Sequence, residues 1–473
     1  MNDTHPGARS PHRRQAVVIG GSMAGLVAAR VLADHFQDVT IVERDPAPTG
    51  PAPRRGTPQS HHAHVLLKRG ELILEELFPG LTQELVAGGA YRIDPSAAVC
   101  WYHYGHWKIR YRSRFRTLFQ TRPFLEWLIF RRVVTHPRIT FRGGTAVTGL
   151  DMDAEGARVV GVRVRSAGLP GAEEHYSADL VMDASGQGTR APAWLSEYGF
   201  PAPPESALRI GLTYTSRLYR APVTGAPDWR VLLVYPRPDR LGRAGYVFSV
   251  ENGCWLVTLA GYAGAVPPTD EVGFLQFAQD LARPDVYDAL RTAEPLGEPV
   301  SYGIARTTRR HYERLSRLPE GFLAIGDTVC RLDPVFGQGM TVAAWEAQTL
   351  GRLLRDRAAG ADWALTGLPR RYYRAISRVI GGPWQFATSE ASRDPRIEGD
   401  RPRLAPVLQW YAAHIFALAE TDRTAFDAFV EVLNLVRGPE ALFAPPVLAR
   451  VLARAAGLSR RAPHAARPTA PPP

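Results

Sequence analysis

At 473 residues the chain exceeds what one hydrophobic core usually supports, so two or three sub-structures are expected in one molecule. With 45% apolar residues, 22% charged and ten Trp, the composition is globular and excludes a disordered or fibrous chain, while 43 Gly and 40 Pro imply many turns. The net charge of +11 does not point to nucleic acid: +2 of it lies in residues 1–15 and +4 in residues 451–473, nearly all of it is Arg, and no basic stripe or reader motif is present.

In chain order, Arg13-Arg14 before an apolar stretch from Ala16 to Ala33 imitates a secretory or twin-arginine peptide. Gly20, Gly21 and Gly25 inside that stretch, and Glu43 beyond it, fit a nucleotide site better. Gln15 to Gly20 (AVVIG) reads as a buried strand, followed by a Gly turn, a helix through Ala33 and a second strand from Val39 to Glu43, closed by the Pro-rich loop GPAPRRGTP at 50–58. From Cys100 to Phe130 the chain is dense in rings, which suit a core and strand surface or one wall of an apolar substrate pocket. Period-two segments at Ile210–Tyr214, Val231–Tyr235, Tyr246–Val250 and Trp255–Leu259 predict antiparallel strands of a second sheet. Gly321 to Ile325 returns to strand, Met340 to Asp356 to helix with a small-residue face, and helical patterns follow near 368–380, 404–420, 423–437 and 444–456. No other run reaches the roughly 18 apolar residues of a membrane helix. Cys100, Cys254 and Cys330, odd in number and far apart, fit a reducing cytosol.

Two loops carry the chemistry. Gly20-Gly21-Ser22-Met23-Ala24-Gly25 stands between a strand and a helix, with Glu43 as the acidic residue at the end of the next strand, and this context makes it a dinucleotide site. Gly20 permits the turn, Gly25 lets helix and strand approach, the helix start offers unpaired N–H groups to a pyrophosphate, and Ser22 stands where the middle glycine is usual. Glu43 would accept bonds from the ribose hydroxyls of an adenosine. The second loop, GDTVCRLDPVFGQGMT at 326–341, places Asp327 after a strand, where it can accept bonds from sugar-alcohol hydroxyls such as a ribityl chain. Gly337-Gln338-Gly339 then brings bare backbone N–H groups and a helix start to one place, able to stabilise negative charge on the pyrimidine end of a reduced flavin. The two loops differ in kind, which argues for one long cofactor, FAD, bridging both.

VVIGGSMAG, IGDTVCRLDPVFGQGM and the middle segment Asp183-Ala184-Ser185-Gly186-Gln187-Gly188-Thr189-Arg190 together resemble the FAD-dependent monooxygenases of the para-hydroxybenzoate hydroxylase superfamily. Within it the chain most resembles actinobacterial flavin epoxidases of polyether biosynthesis and their relatives, a likeness that adds GPAPRRGTPQSHHAHVL at 50–66 and PWQFATSEASRDP and covers about residues 15–456. The resemblance implies Glu43 at the adenosine ribose, Arg122 at the pyrophosphate or ribityl region, Asp327 at the ribityl chain and Arg54 approaching the flavin. It also implies Pro334 over the ring, where its carbonyl would orient a flavin hydroperoxide, and Gly337 and Gly339 at the ring's edge. Cys330 stands where many aromatic hydroxylases have His, and Thr341 where they have Asn, which turns the expectation away from phenols. The tryptophan-rich motif of flavin halogenases is not found, and only Lys68 could serve as their lysine. His61, His62 and His64 lack acidic or cysteine neighbours, so no metal site is expected, although one of them could touch flavin or substrate.

The expected fold is α/β: a Rossmann-like FAD-binding domain of glutathione-reductase type (15–85, 120–200 and 316–360), an antiparallel-sheet substrate domain (86–119 and 205–315), a C-terminal helical region (361–456) and disordered tails (1–14 and 457–473). The expected function is insertion of one oxygen from O2 into a large apolar intermediate of antibiotic-type secondary metabolism, by epoxidation or hydroxylation. The alternative is a FAD-bound cyclase without net redox. Electrons would come from NAD(P)H or from reduced flavin delivered by a separate reductase, and the expected location is the cytoplasm.

Overall fold

The structure, a computed structural model, describes residues 14–167, 173–237, 242–358, 365–458 and 467–471. The first apolar run forms strand β1 (Gln15–Ile19), leading into helix α1 (Met23–Leu32) and strand β2 (Asp38–Val42). Helix α2 (Arg122–Val134), strands β3 (Ile139–Arg142), β4 (Leu180–Asp183) and β5 (Phe322–Ala324), and helix α3 (Gly339–Ala358) complete this unit. Its five strands run parallel in the order β5-β4-β1-β2-β3. Helices cover such a sheet on both faces, which is why its central strands read as continuous apolar runs rather than alternating ones. The turn after β1 is held by glycine geometry. Gly20 has φ +102°, and a Cβ on Gly25 would stand 1.8 Å from the Gly20 carbonyl oxygen.

A seven-stranded sheet stands over this unit, in the order Glu294–Ile304, Leu212–Arg220, Cys254–Gly261, Arg243–Val250, Val231–Val234, Val99–His103 and His106–Trp107. Its pairs are antiparallel except one: Val231–Val234 runs parallel to Val99–His103. These two strands come from distant parts of the chain, and with no hairpin joining them their direction is not forced. One face packs through Leu232, Val247 and Val257 on Phe274, Phe277 and Val286 of two short helices. The other carries Tyr214, Val231, Tyr246 and Phe248. Arg243–Val250 is therefore buried on both faces after its first residue, and the alternation expected of a half-exposed strand is lost.

Four helices follow: α4 (Leu368–Ala391), α5 (Ala405–Leu418), α6 (Arg423–Leu433) and α7 (Pro445–Ala455). Helix α4 runs beyond the expected end near 380, through Gly381, Gly382 and Pro383, because its apolar stripe of Tyr372, Ile376, Val379, Ile380 and Ala387 stays buried across that break. The ring-dense stretch divides: Trp101, Tyr102 and Trp107 belong to the second sheet, whereas Phe124, Trp127 and Phe130 lie on α2 against the first core. Most of the expected tails, residues 1–13, 459–466 and 472–473, lies outside the described residues. Residues 467–471, within the second expected tail, are instead held: Ala470 N–H donates to Asp228, and Arg110 donates to the Pro468 carbonyl. Among the described residues no helix is long and apolar enough to cross a membrane.

Two glycine substitutions separate close approach from helix propensity. Gly25→Ala forces β1 and α1 apart and is expected to cost about 2 kcal/mol or more, read as a lowered urea midpoint and loss of bound flavin. Gly381→Ala, whose Cβ would meet nothing within 4 Å, is expected to stabilise by about 0.5–1 kcal/mol in the same titration. Equal midpoints for the two variants would reject this account of the turn.

Candidate functional site

A cleft of about 330 Å³ opens along the carboxyl ends of β1, β4 and β5. Ser22, Arg122, Asp327, Pro334, Gly337 and Gly339 line it, joined by Ala184–Gly188 from the middle motif. Three loops that are far apart in sequence thus meet on one space. Gly20 and Gly25 shape the first loop from behind, and Ser22, at the start of α1, makes no capping bond to its own helix. Gly337 has φ +65°, a left-handed conformation, and a Cβ on Gly339 would meet nothing within 4 Å, so bare backbone faces the cleft at the start of α3.

The expected residues fall into two groups. Asp327, half-buried, faces the space directly, and burial raises its pKa against the opposing pull of Arg331 and Arg122. Glu43 stands behind the first loop and accepts bonds from Gly21 N–H (2.6 Å) and Asp45 N–H (2.9 Å). Arg54 also lies behind that loop: it pairs with Glu126, donates to the Gly21 carbonyl (3.3 Å) and does not line the cleft. Arg122, the first residue of α2, donates to Ser22 Oγ (3.1 Å) and to His64 Nε2 (3.3 Å). His64 donates from Nδ1 to the His62 carbonyl (2.8 Å), and burial with the Arg122 charge holds its pKa down at about 3. His62 bonds through Nδ1 to Ser216 Oγ (2.8 Å) and is held at about 4 by burial. Both rings are neutral near pH 7, so Arg44, Arg122 and Arg331 give this cleft a positive wall suited to phosphate. Among the described residues no group of three His, Cys, Asp or Glu stands close enough to hold a metal ion.

Two residues that bind this site together were not singled out from sequence. Glu126, one turn after Arg122, takes Ser22 Oγ (3.0 Å), Arg54 and Arg122 (3.5 Å), and its i,i+4 spacing from Arg122 was the available signal. Glu346 on α3 is fully buried, and its Oε2 accepts Gly326 N–H at 2.7 Å, fixing the loop that carries Asp327. Burial, reinforced by the Asp327 charge, raises its pKa to about 8. Asp333, in the same loop as Asp327, is buried and accepts from Tyr262 OH and Val335 N–H, and burial raises its pKa to about 6.

A second space of about 140 Å³ adjoins the cleft, and Ala63, Val65, Tyr214, Pro334 and Gly337 line both. Its other walls are Trp101 and Phe119 from the ring-dense stretch, Tyr235, Tyr246 and Phe248 from the second sheet, and Phe426 and Phe429 from α6. Burial pushes the Tyr214, Tyr235 and Tyr246 phenols well above the ordinary range, and pushes the His103 imidazole well down. This chamber thus holds no phenolate and no strong base. Lys68 pairs with Glu71 at 2.6 Å and lines neither space.

Residues 15–195 match the family described as FAD dependent oxidoreductase. Protein Rv3254 of Mycobacterium tuberculosis (strain ATCC 25618 / H37Rv) is 33% identical over 458 residues, which cover 93% of each chain. Among solved structures, a triple mutant of the flavin-dependent brominase Bmp2 superposes with a TM-score of 0.64 at 18% identity, over 93% of this chain and 99% of that one. The Pseudomonas aeruginosa protein pqsL, described as a probable FAD-dependent monooxygenase, gives a TM-score of 0.57 at 16% identity, over 81% and 98%. At these identities the likeness to solved structures is one of fold.

Glu346 predicts a pH dependence. Its pKa is raised from 4.5 to about 8 in the fold, so the stability it contributes is complete below pH 4.5 and is lost as pH rises toward 8. Glu346→Gln keeps an oxygen for Gly326 N–H and removes the titration. The fall in melting temperature between pH 5 and 8 is expected to be smaller in the variant, by a few degrees in order of magnitude. Parallel curves for variant and parent would reject the assignment.

Proposed function

We propose that this chain, which belongs to one family with Protein Rv3254 and has the FAD-dependent oxidoreductase fold, is a flavin monooxygenase acting on a large apolar intermediate of secondary metabolism. The observation that carries this reading is the junction of the polar cleft with an apolar aromatic chamber along Val65, Pro334 and Gly337. When bound, reduced FAD supplies the electrons that activate O2 for transfer of one oxygen atom. The protein's part is to hold, orient and exclude water. In this reading Glu43 takes the adenosine ribose, the starts of α1 and α3 offer N–H groups to the pyrophosphate and to the pyrimidine edge, Arg122 neutralises phosphate, and Asp327 takes the ribityl hydroxyls. Arg54 acts through Glu126, keeping the first loop in place. Pro334, common to both spaces, sets where substrate meets the ring. The chamber lacks a base to make a phenol electron-rich, which favours an alkene and hence an epoxide or hydroxyl product, as in the polyether flavin epoxidases that the chain resembles. NAD(P)H or a partner reductase would supply the electrons.

Glu43→Ala and Asp327→Ala are each expected to weaken FAD binding by about ten- to a hundred-fold, the cost of charged hydrogen bonds, measured by flavin fluorescence on apoprotein. Unchanged affinity in either variant moves that ligand elsewhere.

Incubation with a pathway alkene, FAD, reductant and labelled O2 is expected to add one labelled oxygen to the product by mass spectrometry. An isomer of unchanged mass, formed equally well without oxygen, would reject the monooxygenase and establish the non-redox cyclase.

A further inference from the structure

Behind the aromatic chamber lies a larger cavity, about 510 Å³, enclosed by α4, α5, α6 and the segment 435–443. Its walls are apolar, with Pro383, Tyr411, Ile415 and Phe443 prominent, and its volume lies in the range of sites for drug-sized ligands. Phe386, Phe429 and Leu433 line both the cavity and the chamber, so they form the partition between them. The chamber's 140 Å³ is too small for a large intermediate, and the space beyond this partition is where the remainder could lie.

Arg69, Gln385 and Glu390 interrupt the apolar lining, and so do two polar groups that lack partners. Gln338 and Ser389 are 2% and 3% exposed, and Gln338 Oε1 and Ser389 Oγ have no hydrogen-bond partner in the protein. Burying such groups unpaired is unfavourable unless something that enters the cavity pairs with them. A carbonyl oxygen such as Gln338 Oε1 asks for a donor, and a hydroxyl on a hydrocarbon skeleton supplies one without bringing charge into the cavity. Arg378, exposed, and Arg437, which pairs with Glu431 at 3.1 Å, stand where the lining reaches the surface, and Arg378 suits an anionic end of the same ligand. Gln338 also lies between Gly337 and Gly339, which line the cofactor cleft, so one short loop borders both spaces. Gly381-Gly382-Pro383 in the middle of α4 supports the same reading. The residues that weaken this helix interior, Gly382 and Pro383, are the ones that form the cavity wall.

We propose that this cavity binds the distal part of a long, hydroxyl-bearing apolar substrate, with Gln338 and Ser389 recognising its oxygen function and Phe386, Phe429 and Leu433 marking the passage to the reacting end. The proposal deepens the monooxygenase reading and rests on it for the word substrate; the binding site itself is tested without turnover. The probes are 12-hydroxydodecanoate and dodecanoate, titrated calorimetrically into FAD-loaded protein. The hydroxylated probe is expected to bind at least ten-fold more tightly, and Gln338→Leu is expected to erase that preference. Ala412→Trp and, as a second filling variant, Val432→Phe should each weaken both probes at least ten-fold while FAD content stays that of the parent. Absence of saturable binding, or filling variants that retain FAD and bind as the parent does, would overturn the proposal. Probe binding that behaves as expected, together with no labelled oxygen in product, would reject the monooxygenase and leave the cavity as a ligand site. Labelled product without probe binding would reject the cavity alone.

Discussion

The loops around the cleft are positioned by buried carboxyl groups whose oxygens accept backbone N–H groups. Glu43 takes Gly21 and Asp45, Asp183 takes Ser185, Asp333 takes Val335, and Glu346 takes Gly326. Glu43, Asp183 and Glu346 tie glycine-rich or irregular loops, which have little propensity of their own, to a strand end or helix that the core already fixes, whereas Asp333 closes a turn within its own loop. An acceptor at such a site cannot be deleted without leaving a buried N–H unpaired, so the loops that meet at the cleft are set before any ligand arrives. Desolvation is the accompanying cost: it raises the pKa of Asp183, Asp333 and Glu346.

The same desolvation divides the interior into two electrical environments. On the cleft side His62 and His64 are forced neutral beside Arg44, Arg122 and Arg331, leaving a field suited to phosphate. Across Val65 and Pro334 the phenols are driven up and His103 driven down, leaving a medium in which few groups ionise. Behind the first loop Glu126 accepts from Ser22 Oγ and from Arg54, which ties that loop and the 50–58 loop to α2.

Periodicity and turn chemistry made the scaffold legible. The β1–α1–β2 unit, α3 and the four C-terminal helices all leave a local signature, either an apolar run bounded by glycines or a 3.6-residue stripe. Asp327 and the Gly337–Gly339 loop could be placed because strand, loop and helix stand adjacent in sequence. Features that arise only between distant segments left no such trace. Nothing local distinguishes Glu346 from a solvated helix carboxylate, since its burial depends on Gly326 folding over it from another element. Arg54 could be assigned to the cleft from its loop, but its direction is decided by Glu126, far along the chain. The parallel pairing of Val99 with Val231 and the continuation of α4 past Pro383 follow in the same way from tertiary packing overriding local preference.

The order of strands in the parallel sheet bears on how the molecule is made. β1, β2 and β3 are complete by residue 142, but β5, which closes the edge beside β4, begins at Phe322, and the Asp327 loop and α3 come after it. A chain emerging from a ribosome therefore displays the first nucleotide loop long before the second exists, and must shelter a half-built sheet edge while residues of the other sheet are synthesised. Such non-local closure is slow and leaves apolar strand edge exposed meanwhile. If one flavin spans both loops, as proposed, its uptake belongs to the last stage of biogenesis, so the yield of folded protein should depend on the rate of translation through residues 143–321 and on the flavin supply when that stretch is finished.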